Sequence, residues 1–168
     1  MSTPELHRPV RLSRIAADGL EVTVEANQTE REALALRMLL PAIPALRCRF
    51  ALAPEGRGII VATGRLEALV VQTCVVSLED FEAPVTEDFT VHFVPAGTED
   101  DDPDPESIDE IPYEGDMIDL GEASAEQLAL ALDPYPRRPG AVLPENQATI
   151  DPRLAALLAL RDAKAKGS

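Results

Sequence analysis

The chain has no tryptophan, and aromatic residues make up only 4% of its 168 residues although 45% are apolar. A core must therefore be assembled from Val, Leu, Ile and Ala, and the length suffices for one ordinary domain rather than two large ones. No apolar run approaches about 18 residues. The opening MSTPELHRPV has neither a basic segment nor an apolar stretch of the kind that directs secretion. A cytoplasmic protein with no membrane partner is expected.

Cysteine and histidine are scarce too, with two of each. Cys48 and Cys74 lie in strand-like apolar runs, where a free thiol in a reducing compartment behaves as a small buried hydrophobe. His7 stands near the chain start, and His92 takes an outward position between Val91 and Phe93. Histidine is the commonest catalytic base. No glycine-rich phosphate loop, zinc-spaced Cys/His set or nucleophile elbow accompanies these residues. The expectation is a protein that is not an enzyme, with no small-molecule substrate, no catalytic residues and no cofactor or metal.

What is present is acid. The formal net charge is −15, and it is unevenly laid out: residues 1–65 carry nine Arg against seven acids, while residues 66–136 carry twenty acids and no Lys or Arg. Residues 137–168 carry six basic residues and three acids. A net-acidic chain is repelled by nucleic acid at long range, so RNA contact would fall to a local arginine patch, and otherwise the natural partner is basic. Candidates for phosphate contact are Arg47, Arg49 and Arg65 in the strand region and the adjacent pair Arg137 and Arg138. Candidates for a basic partner are Asp100, Asp101, Asp102, Asp104 and Glu106. The run EDDDPDPE holding them lacks the alternating ligands, central Gly and terminal Glu of a calcium loop.

Residues 8–14 and 19–25 alternate like half-buried strands, the second placing Leu20, Val22 and Val24 on one face. Thr29 and Glu32 have capping-box spacing ahead of an apolar stripe that runs to Pro41, predicting a short helix. Residues 44–53 put Arg47 and Arg49 opposite Leu46, Cys48, Phe50 and Leu52. Residues 58–96 read as two or three strands, with a bulge or turn at Gly64 and Arg65 and a break at Pro84. Sequential strands with short turns predict an α+β fold: an antiparallel sheet or small partly open barrel, two or three flanking helices and a long acidic loop. Ser124 and Gln127 have capping-box spacing for a second helix that stops at Pro134, and Asp151 with Pro152 opens a third. The expected layout is one domain over 1–165, with 96–117 a mobile acidic loop, 134–149 a Pro-rich extended segment and 166–168 a tail.

The run GRLEALVVQTCVVSLEDFEAPVTEDFTVHFVP, the acidic stretch after it, MIDLGEASAEQLALALDPYPRRPGA and the terminal DPRLAALLALRDAK together resemble the YceD family, the large ribosomal RNA subunit accumulation proteins, over roughly residues 55–165. Many members carry Cys-x-x-Cys where this chain has Cys74-Val75-Val76-Ser77. One thiol with Ser77 in place of the second falls short of the roughly four N or S ligands zinc takes. Cys74 is therefore read as the survivor of a family metal or turn motif that now packs within a strand. Cys74, Ser77, Asp119, Leu120, Glu122 and Glu126 are the family-motif positions, expected to be structural. The resemblance implies a non-enzymatic role in 23S ribosomal RNA accumulation and large-subunit maturation, through rRNA precursor or a basic ribosomal protein. The alternative is an acidic protein–protein adaptor unrelated to ribosomes.

Overall fold

Alternating apolar and charged residues produce three long strands that pair as an antiparallel meander and carry the molecule. β3 (Ala42–Gly56), β4 (Ile59–Thr73) and β5 (Asp80–Pro95) pair over nearly their full lengths. The computed structural model describes residues 3–99, 104, 106–142 and 159–161. Within it, β1 (Pro9–Arg11) leads through a 3-10 turn, Leu12–Arg14, to β2 (Leu20–Glu25), which adds to β3; α1 (Gln28–Arg37) connects those two. β6 (Asp109–Tyr113), β7 (Met117–Asp119) and α2 (Leu120–Ala131) follow β5. The five-stranded sheet has the order β2-β3-β4-β5-β6, and β1 and β7 form a separate antiparallel pair.

The fold is α+β, and where an antiparallel sheet or a small partly open barrel was predicted, the strands form a sheet that does not close into a barrel. It is antiparallel except at its last pair: β6 runs parallel to β5, with Phe93 beside Ile111. The stretch 96–117, expected to be one acidic loop, thus contains β6 and meets β7 at its end. Ile111 and Tyr113 give this short strand enough apolar surface to join the sheet edge despite its acids. The chain divides into two compact units, Met1–Arg138 and Pro139–Ser168. Residues 134–142 are neither helix nor strand, in keeping with their prolines, and 159–161 are helical. The expected helix start at Asp151, the rest of the extended segment from 143 and the tail 166–168 lie outside the described residues.

One face of the sheet is dry. Val24, Leu46, Cys48, Phe50, Leu52, Leu66, Val91 and Phe93 are buried there, met by Leu34 of α1 and by Ala123 and Leu128 of α2. Gly64 is no bulge. It pairs with both Phe50 and Phe89, and a Cβ there would come within 2.2 Å of the Phe89 ring, so its bareness lets Phe89 stack edge-on against Phe50 at 5.6 Å. Pro84 does not break the strand either. β5 has a partner only on its β4 side at that point, and an edge tolerates a residue without an N–H.

Helix ends differ from the spacing-based expectation in both cases. α1 is capped by Asn27, whose side chain accepts from the Glu30 N–H at 2.9 Å while the Glu30 carboxylate accepts from the Asn27 N–H at 2.8 Å. The Thr29–Glu32 pair lies two residues further in. The helix stops before Pro41, in a Schellman turn: Leu39 adopts φ 56°, and the Leu40 N–H donates to the Ala35 carbonyl at 2.9 Å. α2 begins at an Asp119 cap, so Ser124 is a buried mid-helix residue whose hydroxyl donates to the Leu120 carbonyl at 2.7 Å.

Candidate functional site

Cross-strand register fixes the sheet's outer face. Arg47 lies opposite both Glu25 and Glu67, Arg49 lies opposite Arg65, and Arg65 lies opposite Asp88. The period of two therefore gathers Arg47, Arg49 and Arg65 on one exposed surface, as the sequence suggested for the first two. Each is met by a carboxylate: Arg47 by Glu25 at 3.1 Å, Arg49 by Glu67 at 3.4 Å, and Arg65 by Asp88 at 2.9 Å and Glu67 at 3.8 Å. Exposed pairs of this kind contribute about 0–1 kcal/mol each. Their larger effect is to cancel the positive field a phosphate backbone would seek.

Arg137 and Arg138 do not join them. Arg138 sits at the far end of β4, where its backbone N–H donates to the Cys74 sulfur at 3.3 Å and its guanidinium pairs with Glu79. Nine residues of extended chain, roughly 30 Å, separate that end from Arg65. Arg137 is exposed beside Gln72 and Phe81, without an ion pair among the described residues.

Cys74 is fully buried, as expected, but it opens the turn after β4 rather than lying in the strand. Its N–H and carbonyl close that turn, bonding Glu79 and Leu78 at 2.9 Å each, and the Val75 N–H donates to the Pro136 carbonyl. The sulfur accepts from the Ser77 N–H at 3.4 Å as well as from Arg138. Hydrogen bonding from Ser77, side chain first and then backbone, with the Arg138 and Val76 N–H groups, draws the thiol down to about 6. Burial opposes this, but less strongly than the Ser77 and Arg138 hydrogen bonds draw it down. Cys48, deep under α2, is pushed up by burial to about 11. Among the described residues the turn offers one sulfur ligand, and no three His, Cys, Asp or Glu side chains converge for a metal.

The other motif positions surround the start of α2. Asp119 accepts from the backbone N–H of Arg8 at 2.8 Å and Gly121 at 2.9 Å, and lies 2.5 Å from His7 Nδ1. Leu120 is fully buried and donates its N–H to the Arg8 carbonyl, while Gly121 faces Leu6 so closely that a Cβ would come within 2.5 Å of its carbonyl oxygen. Glu122 binds Arg37 through two contacts, at 2.7 and 3.0 Å, and Arg37 also reaches Glu5. Glu126, one turn on, is half-buried and has no ion pair among the described residues; burial, then the neighbouring Glu122 charge, holds its carboxyl above the usual range.

A model of the large ribosomal RNA subunit accumulation protein YceD family matches residues 62–161. The chain belongs to the YceD family. No curated protein and no solved structure matches it. The family's name ties the chain to accumulation of large-subunit ribosomal RNA. The matched span takes in most of β4, β5, the Cys74 turn and α2. Within it Cys74 bonds Arg138 and Asp119 bonds Arg8, segments far apart in the chain, while Ser77 bonds within its own turn.

Of the acidic candidates, Asp100, Asp101 and Asp102 lie outside the described residues. Asp104 and Glu106 are exposed, Asp104 accepting from the Glu106 N–H at 3.0 Å in a local turn. Missed from the sequence was Gln127, which is buried on the α2 face turned toward β6. Its signal was available: an amide four residues after Ala123 interrupts an otherwise apolar helix stripe.

Proposed function

We propose that this YceD-family chain acts without catalysis in 23S rRNA accumulation, by engaging a basic large-subunit ribosomal protein during assembly. The observation that carries the choice of partner is the pairing of Arg47, Arg49, Arg65 and Arg138 with carboxylates. An arginine surface already neutralised offers few counterion-releasing contacts to a phosphate backbone. The acids of residues 66–136 outnumber every cation within reach of them, and opposite charge on a ribosomal protein would raise the rate of encounter.

Sucrose-gradient fractionation of a lysate containing tagged protein tests this reading. Comigration with large-subunit precursors at low salt, lost at moderate salt, is expected, with a cross-link to a ribosomal protein that survives ribonuclease. A cross-link to rRNA alone would transfer the contact to nucleic acid. Protein that stays at the top of the gradient in every condition, with a discrete non-ribosomal partner, would replace the assembly role with an adaptor role.

A further inference from the structure

Between the outermost strand β6 and helix α2 runs a groove of about 480 Å³. Its walls mix two chemistries. Ile108, Ile111 and Leu130 give an apolar flank, with Leu130 71% exposed, and Glu99, Glu126 and Gln127 supply polar groups.

Gln127 is only 6% exposed, yet no hydrogen bond joins its side chain to any described residue. No fully enclosed side-chain nitrogen or oxygen among the described residues lacks a partner. The Gln127 amide must therefore open onto free space, and the groove is the space this residue lines. A buried amide costs free energy unless something bonds it, so this one marks a place where a partner group belongs. Beside it Glu126 carries a half-buried carboxylate with no ion pair among the described residues; the Glu122 charge acts on it more strongly than Arg37, which is itself paired with Glu122 and Glu5.

We propose that the β6–α2 groove receives a lysine or arginine side chain from the basic protein partner, its alkyl stem on Ile108, Ile111 and Leu130 and its head group at Glu126 and Gln127. An amphipathic cation matches both flanks: the methylene stem covers apolar surface while the charged head donates to the carboxylate and to the amide oxygen. Among the described residues that line the groove, a phosphate or an acidic peptide would meet carboxylates and no Lys or Arg. The groove lies at the sheet's edge, where no described strand pairs with the outer side of β6. This inference rests on the proposed function for the identity of the partner, but not for the chemistry of the pocket.

The test uses the full chain and a fluorescent Lys-Ala-Arg-Ala repeat peptide, with binding read by anisotropy and by amide shifts. Wild-type protein should bind the peptide with shifts centred on residues 108–111 and 126–130. Glu126→Gln should weaken binding about tenfold. Leu130→Lys, at an exposed position that the fold tolerates, should do the same by placing a competing cation in the groove. Glu82→Gln removes an equal charge from the exposed far part of β5 and should change affinity by less than about twofold. Equal weakening by Glu126→Gln and Glu82→Gln, or no binding by wild type, would overturn the groove. Comigration with ribosomal precursors that Glu126→Gln leaves intact would likewise remove the groove while preserving the assembly role. Peptide binding at the groove without comigration would do the reverse.

Discussion

At the scale of single residues, the two cysteines show how little identity says without surroundings. Both read from sequence as apolar strand residues, and both are buried, yet Cys48 meets apolar packing while Cys74 meets a ring of N–H donors. The turn that supplies those donors is made by residues 75–78 and by Arg138, and no local pattern announces that the chain returns there. The folded Cys74 value near 6 lies below the unfolded thiol value of about 8.5. Its thiolate therefore stabilises the fold fully above that unfolded value, and the contribution is lost as pH falls through about 6. In a Cys48→Ala variant, thiolate absorbance should half-develop near pH 6. A midpoint near 8.5 would show that the donors do not act on the sulfur.

At the scale of elements, alternation was the most legible signal. It predicted which face of β2 and β3 is dry and put Arg47 beside Arg49. It also split β4 at Gly64 and β5 at Pro84, because residue type alone does not tell a break from a position whose missing Cβ or N–H the neighbours require. Caps were misplaced for a related reason: Asn27 and Asp119 outcompete the Ser/Thr-based spacings by having the preceding chain already extended. The end of α1 gives a direct test. Leu39 is 91% exposed yet held at φ 56°, a region that costs a non-glycine residue about 1–2 kcal/mol. Leu39→Gly removes that penalty and loses almost no packing, so it should stabilise the protein by about 1 kcal/mol, less what glycine adds to unfolded-chain entropy. A lower denaturation midpoint in urea would contradict the Schellman assignment.

For the whole molecule, strand order and the parallel return of β6 were not legible, since both depend on which distant segments meet. The segment before β2 acts as a strap: Leu6 is fully buried, Val10 pairs with Ile118, and Arg8 binds Glu30 while its backbone joins Asp119 and Leu120. Burial of Leu6 and Val10 alone is worth roughly 3–6 kcal/mol, against a total stability of about 5–15 kcal/mol for a domain. Deletion of residues 3–11 should abolish the cooperative thermal transition seen by circular dichroism. A sharp transition at the wild-type temperature would show the strap to be dispensable. The β1–β7 pairing also has a consequence in time. During translation, residues 9–11 leave the ribosome before their partner exists, and the strand they require is made roughly a hundred residues later. The long strands emerge after α1, which forms its part of the cover, and the rest of their apolar face stays open until α2 is made.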